Sequence, residues 1–150
     1  MKIEIINGPN MNMLGIREPN IYGSTTYSDL CDMIKKYCNE RGVEPHFFQS
    51  NSEGGIIDRI HSCYFEKVDG IVINPAAYTH YSYAIFDALK TVSIPTVEVH
   101  ISDIEKREDF RKNSVITPAC VARIAGEGIN GYMHAIDILV QKSDKDNPNG

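Results

Sequence analysis

Glu98 and His100 are the residues whose types and spacing point most directly to chemistry. They stand two residues apart within residues 94–101, where apolar and polar side chains alternate with the period of a β-strand. Both side chains are therefore expected on one face, where a carboxylate can hold one tautomer of the imidazole and stabilise its charged form. Proton transfer is one interpretation of this pair, and an incidental ion pair on a half-buried strand is the other.

A basic stretch follows the pair directly, with lysines at 106 and 112 and arginines at 107 and 111. Guanidinium groups bind carboxylates through paired, charge-assisted hydrogen bonds. An acid/base pair at a strand end beside such a stretch is suited to an anionic substrate.

Arg17 and Tyr22 share a loop that runs from the end of the first predicted strand to about Ser24. Connections in α/β proteins usually have 2–6 residues, and longer ones are often lids over a site. Nearby cations favour the phenolate form of a tyrosine, so Tyr22 is a candidate base. A packing tyrosine on a surface loop is the alternative.

Composition and charge indicate an ordinary globular chain. Its 150 residues are 42% hydrophobic and 23% charged, and we expect one catalytic domain over residues 1–142 with a polar, frayed tail at 143–150. The net charge of −5 argues against nucleic-acid binding, and no apolar run approaches the roughly 20 residues of a membrane span. The N-terminus is unlike a signal peptide, so the cytoplasm is the expected location.

The four cysteines lack Cys-x-x-Cys spacing and are expected to be free thiols.

Strand and helix patterns alternate along the chain. Strands are predicted at residues 2–7, 43–49, 71–74, 94–101 and 120–125. Helices are predicted from Thr26 to Gly42, from about Ser52, and over residues 81–92, 103–113 and 132–142. Such alternation is typical of parallel βαβ units, which predicts a flavodoxin-like, doubly wound five-stranded sheet in the order 2-1-3-4-5 with helices on both faces.

Folds of this class bind ligands at the carboxyl ends of their strands. No Cys nucleophile, phosphate loop or convincing metal-ligand spacing falls at that edge. The polar set suits proton transfer on a small carboxylate. Its members are Asn10, Arg17, Tyr22, Asn74, His80, Glu98, His100, Ser102, Arg107 and Arg111.

Residues 126–131 match the pattern G-x-G-x-x-G and precede a helix. Taken alone, the pattern suggests a dinucleotide site. It lies late in the chain, no βαβ unit completes it, and Glu127 would repel a pyrophosphate. Close packing of a helix on the sheet or on another subunit is the favoured interpretation.

Several ordered motifs together resemble type II 3-dehydroquinate dehydratase over all but the last eight or so residues. Each motif alone is weakly specific, but their order and spacing together are highly specific. They lie at residues 6–12, 14–19, 22–23, 49–54, 74–80, 98–102 and 107–111. The resemblance implies a catalytic base at Tyr22, a general acid at His100 and a transition-state-stabilising arginine at Arg17.

The same resemblance implies supporting residues around these groups. Asn10 would hold a water near an enolate, Glu98 would orient His100, and Arg107 would favour the phenolate of the base. Asp87 would reach the site from a neighbouring subunit. Substrate contacts within the subunit are implied for Asn74, His80, Ile101, Ser102 and Arg111.

The implied reaction is dehydration of 3-dehydroquinate to 3-dehydroshikimate, in aromatic biosynthesis or in quinate breakdown. It removes a proton α to a ketone and a hydroxyl β to it, which needs a base, an enolate stabiliser and an acid. The resemblance implies no metal or organic cofactor, no nucleic-acid or membrane partner, and trimers that assemble into a homo-dodecamer.

Two departures from the family pattern affect packing or assembly rather than chemistry. Cys120 and Ala122 stand where related chains usually have Ala and Gly, and Glu127 stands at a usually apolar position. Two alternatives remain: a flavodoxin-like binding or signalling module, for which the visible spectrum of bound flavin would speak, and another lyase acting on a related cyclic hydroxy acid.

Overall fold

The computed structural model describes residues 1–16 and 19–149, with the backbone alone described at residues 21, 22 and 105. Five parallel strands form one sheet in the order β2-β1-β3-β4-β5, which confirms the predicted flavodoxin-like order. The strands are β1 (Lys2–Asn7), β2 (Glu44–Gln49), β3 (Gly70–Asn74), β4 (Thr96–His100) and β5 (Ala122–Ala125).

Helices cover both faces of this sheet. They are α1 (Pro19–Tyr22), α2 (Tyr27–Asn39), α3 (Glu53–Phe65), α4 (Tyr83–Val92) and α5 (Asn130–Asp146). One apolar core joins α2 and α5 to the sheet, and a second joins α3 and α4 to the opposite face. Strand β3 contributes Val72 to the first core and Ile71 and Ile73 to the second, as expected for a central strand buried on both faces.

Helix α2 begins where its sequence predicts. The Thr26 hydroxyl accepts a hydrogen bond from the Asp29 backbone N–H (3.1 Å), and the Asp29 carboxylate accepts one from the Thr26 N–H (3.2 Å). This reciprocal capping satisfies two N–H groups that the first turn leaves without partners. Ser52 caps α3 in a similar way by accepting the Gly55 N–H at 3.0 Å.

The predicted helix at residues 103–113 is wrong. Two short 3-10 turns lie there, Ile104–Lys106 and Asp109–Arg111, closed by hydrogen bonds from Lys106 N–H to Asp103 O and from Arg111 N–H to Glu108 O. This charged segment offers little apolar surface to bury, and packing of an apolar face supplies most helical stability in proteins.

Several predicted boundaries also differ from the observed ones. Helix α4 starts at Tyr83, after a 3-10 turn at Ala76–His80, and β5 starts at Ala122 rather than at residue 120. Helix α5 runs past residue 142 to Asp146, into the segment predicted to be frayed. The apolar pattern marks only the buried part of such a helix, because its last turn is polar.

Two glycines allow close approaches that position the site. A Cβ at Gly8 would lie 2.5 Å from the carbonyl oxygen of Pro75, so only glycine lets the ends of β1 and β3 come this close. A Cβ at Gly131 would lie 3.3 Å from methyl groups of Val99 and Ile124, which brings α5 tightly against β4 and β5. The second contact agrees with a helix–sheet packing role for the glycine motif.

None of the helices in the described part of the chain is long and apolar enough to span a bilayer. The four cysteines are free thiols, as predicted.

Candidate active site

A pocket of about 160 Å³ opens at the carboxyl ends of β1, β3 and β4. This is the edge at which folds of this class bind ligands. Its lining includes most of the polar residues that the sequence predicted for that edge. The described residues that line it are Pro9, Asn10, Met11, Asn74, Ala76, Ala77, His80, His100, Ile101, Ser102, Ile104, Arg107 and Arg111.

Glu98 and His100 form a buried pair at the base of this pocket. The alternation of β4 turns both side chains to the α4 face of the sheet, where Nε2 of His100 meets Oε2 of Glu98. Glu98 is fully buried, while His100 also reaches the pocket lining. With Nε2 engaged by the carboxylate, Nδ1 is the ring nitrogen left for a ligand.

Three hydroxyl groups surround the same carboxylate. Thr79 Oγ1 lies 2.6 Å from Oε2, Ser114 Oγ lies 2.8 Å from Oε2, and Thr117 Oγ1 lies 2.7 Å from Oε1. Burial alone would raise the pKa of Glu98, but His100 and the hydroxyls of Thr79 and Thr117 outweigh it and lower that pKa to about 2. Glu98 is therefore an anion, and the Nε2–H of His100 donates to it.

The tautomer of neutral His80 is set by the backbone. Its Nδ1 lies 2.7 Å from the carbonyl oxygen of Asn113, which can only accept, so Nδ1 carries the hydrogen. The other nitrogen, Nε2, can then accept a hydrogen bond from a hydroxyl in the pocket.

Asn10 lies in a left-handed turn at the end of β1, with φ 70°. Gln49, the last residue of β2, and Asn51, two residues further on, hold this turn. Asn51 Oδ1 accepts the Asn10 backbone N–H at 3.0 Å, and Gln49 Nε2 donates to Gly8 O at 3.2 Å. The contacts of Gln49 and Asn51 thus fix the backbone at Asn10.

Asn74 is held by a buried chain of hydrogen bonds. Its Nδ2 donates to Tyr132 OH at 3.0 Å, and its Oδ1 accepts the Ala76 N–H at 3.1 Å. Tyr132 in turn donates to Oδ1 of Asn7 at the end of β1. Burial raises the pKa of Tyr132, which keeps its hydroxyl protonated as a donor. Helix α5 thereby ties together the ends of β1 and β3.

Arg107 and Arg111 supply the positive side of the pocket. Glu108 lies between them, with Oε2 at 3.7 Å from Nε of Arg107 and 3.1 Å from Nε of Arg111. The second contact has the distance of an ion pair without the alignment of a hydrogen bond. A backbone hydrogen bond and the two guanidiniums hold the pKa of Glu108 below its usual range.

The glycine motif anchors the carboxyl end of β4. The N–H groups of Gly126 and Gly128 donate to the carbonyls of Ser102 and Ile101, each at 3.1 Å. Ile101 and Ser102 line the pocket, so this contact holds part of the site in place.

Some predicted site residues are not placed in the pocket. Asp87 is exposed on α4 and is absent from the described lining. Arg17 and the side chain of Tyr22 lie outside the described residues. Their roles remain predictions, as do the catalytic roles of the residues around the pocket.

Sequence analysis missed the residues that support the site from behind, namely Thr79, Ser114, Thr117 and Tyr132. Thr79 stands beside His80 in a matched motif, which is a signal that could have singled it out. Ser114 precedes a short 3-10 turn and Thr117 opens it, so no helix or strand periodicity points to them. Among the described residues, no group of three or more His, Cys, Asp or Glu side chains is placed to hold a metal ion.

The fold and the pocket together define an α/β protein with a buried Glu–His pair, two arginines and two amides at one edge of its sheet. The family model for class II dehydroquinase matches residues 1–140. The chain is 61% identical over 138 residues to a 3-dehydroquinate dehydratase of Caldicellulosiruptor bescii, covering 92% of this chain and 95% of the relative. It is 58% identical over 142 residues to one of Clostridium perfringens, covering 95% and 99%.

Solved structures agree with this similarity. The type II dehydroquinase of Butyrivibrio crossotus superposes with a TM-score of 0.93 at 57% identity, covering 93% of this chain and 97% of that one. That of Propionibacterium acnes gives 0.90 at 42% identity, covering 93% and 96%. The chain belongs to the class II dehydroquinase family, whose members are hydro-lyases.

Proposed function

We propose that the chain eliminates water from 3-dehydroquinate to give 3-dehydroshikimate through an enolate. The buried Glu98–His100 pair beneath a pocket with two arginines is the observation that carries this proposal within the family. The substrate is a small cyclic hydroxy acid with one carboxylate, and the pocket offers cations for the carboxylate and neutral polar groups for the hydroxyls.

The reaction needs two proton transfers. A base removes a proton from the carbon α to the ketone, and the electron pair of that C–H bond forms the enolate. The enolate then collapses, a carbon–carbon double bond forms, and the β-hydroxyl leaves as water with a proton from an acid. His100 fits the acid, because its Nε2–H is held by Glu98 and Nδ1 is left to protonate the departing oxygen.

Tyr22 is proposed as the base, with Arg17 and Arg107 favouring its phenolate and Asn10 holding a water near the enolate oxygen. These assignments rest on the resemblance of the motifs. Hydrogen bonds with Asn51 and Gln49 hold the turn that contains Asn10, which supports a role for Asn10 in a defined position. Asn74, His80, Ile101, Ser102 and Arg111 would bind the substrate.

The proposal is tested by adding 3-dehydroquinate to the purified protein and following the ultraviolet absorbance of the conjugated enone product. We expect turnover that obeys saturation kinetics and continues after treatment with a chelator. A protein without this activity, or one purified with a visible flavin spectrum, would instead favour the flavodoxin-like binding module. The biosynthetic or catabolic use of the reaction and a cytoplasmic location stay predictions.

Assembly is part of the same proposal. We infer trimers that pack into a dodecamer, with the exposed Asp87 on α4 reaching the pocket of a neighbouring subunit. Sedimentation velocity at the concentrations of the activity assay measures this directly. A fully active monomer would contradict it and would leave Asp87 as an ordinary surface carboxylate.

A further inference from the structure

The hydroxyl groups around Glu98 donate their hydrogens to its carboxylate. Ser114 Oγ accepts the backbone N–H groups of Ile116 (3.1 Å) and Thr117 (3.2 Å), which occupies both of its lone pairs. Ser114 can therefore only donate to its other neighbours. Thr79 lies 2.8 Å from Ser114 but cannot donate to it, so the Thr79 hydrogen goes to Glu98 at 2.6 Å.

Thr117 completes the arrangement from the other side of the carboxylate. Its hydroxyl lies 2.7 Å from Oε1 of Glu98, while Thr79 and His100 approach Oε2. Both oxygens of this fully buried carboxylate are thus supplied with donors. The donors come from three places in the chain: the 3-10 turn at Ala76–His80, the segment at residues 114–117, and β4.

This arrangement bears on the location of one proton. Oε2 of Glu98 and Nε2 of His100 compete for the hydrogen that lies between them. Donors to a carboxylate stabilise its charged form and make it a weaker base, so the hydrogen stays on Nε2. If Glu98 took it, His100 would become a neutral imidazole, which is a much weaker acid than imidazolium.

We propose that Thr79, Ser114 and Thr117 are positioning residues that keep the shared proton on His100 and so maintain His100 as an imidazolium acid. The inference rests on the proposed function for its kinetic consequence, but the location of the proton is a property of the free protein. None of the three hydroxyls lines the described pocket, so they act through Glu98 rather than on the substrate.

Other charged and titratable groups around Glu98 do not replace this role. Cys120 lies behind it, and burial followed by the charge of Glu98 raises the pKa of that thiol to about 12, so it is neutral. His80, on the turn packed against β4, directs Nδ1 to Asn113. Arg123 is the register partner of Glu98 on β5, and its side chain is exposed.

The test removes hydroxyls while preserving shape. In Thr79→Val/Thr117→Val, two donors are lost and Ser114 still closes its turn. The carboxylate then becomes more basic and should hold the shared proton. We expect kcat to fall about tenfold, which corresponds to a loss of transition-state stabilisation equal to roughly one hydrogen bond. The basic limb of the pH–kcat profile should move up by about 0.5–1 pH unit, because the pair as a whole then binds its proton more tightly.

Matched variants separate this effect from a structural one. Thr79→Ser/Thr117→Ser keeps both hydroxyls and should restore kcat and the limb. Thr96→Val removes a buried hydroxyl from β4 that bonds Ile94 O and not Glu98, and it should leave the profile unchanged. Glu98→Gln removes the charge itself and should move the limb to lower pH, in the opposite direction.

Loosening of the site without a proton shift would expose His100 and move the limb to lower pH or leave it in place, and either result would overturn the inference. Nitrogen NMR of His100 in the substrate-free variants follows the shared proton directly. This measurement does not depend on turnover, so it can be made on an inactive protein. If the double variant does not fold, Thr117→Val alone provides the test, with a smaller upward shift expected.

Discussion

Replacing His100 with alanine should lower kcat by about 10²–10⁴, the usual effect of losing a general acid or base. The fold should survive, because His100 lies at the end of β4 and its described polar contact is with Glu98 alone. The departing hydroxyl would then leave without a proton from the protein. Steady-state kinetics on 3-dehydroquinate, with circular dichroism of the variant, measures both expectations.

A matched control is His61→Ala. That histidine is exposed on α3 and is not among the described residues that line the pocket. We expect its kcat to be close to that of the wild type. Near-normal turnover of His100→Ala with a native spectrum would contradict the assignment of the acid.

Tyr22→Phe should have a comparable or larger effect, because it removes only the phenolic oxygen that is proposed to abstract the α-proton. We expect kcat to fall by a factor of about 10²–10⁴ or more. Substrate binding should be largely retained, because the proposed binding groups are unchanged. Tyr64→Phe is the control, because this tyrosine is exposed at the end of α3. Kinetics and calorimetric binding distinguish lost chemistry from lost affinity.

His80 is the alternative base among the described residues, since its Nδ1–H is fixed and its Nε2 can accept a hydrogen. His80 would be identified as the base if Tyr22→Phe kept substantial turnover and His80→Ala lost proton abstraction. Catalysis would then need no contribution from α1, the short helix that ends at Tyr22.

The order of the sheet was predictable because its strands have simple patterns. Ile71, Val72 and Ile73 form an unbroken apolar run, which is typical of a strand covered on both faces. Polar and apolar residues alternate along β4 as predicted. The edge at which the pocket lies follows from the parallel topology alone. These features depend on local periodicity, which the sequence displays directly.

Residues 103–113 show where such reasoning fails. Their charged residues are compatible with a helix, but the segment has no apolar face whose burial would stabilise one. The ion pairs around Glu108 are equally compatible with short 3-10 turns. The donors to Glu98 were missed for a related reason. Ser114 and Thr117 meet Thr79 only through tertiary contacts, and no spacing in the sequence encodes their common partner.

The central claim is that His100 protonates the departing hydroxyl after another group has removed the α-proton. The most direct measurement is deuterium incorporation into unreacted 3-dehydroquinate in D₂O, followed by mass spectrometry for His100→Ala and Tyr22→Phe beside an enzyme-free sample. We predict that His100→Ala incorporates deuterium at the α-carbon faster than it forms product, and that Tyr22→Phe matches the enzyme-free rate. Loss of both exchange and product in His100→Ala would contradict the claim and place His100 in the cleavage of the C–H bond.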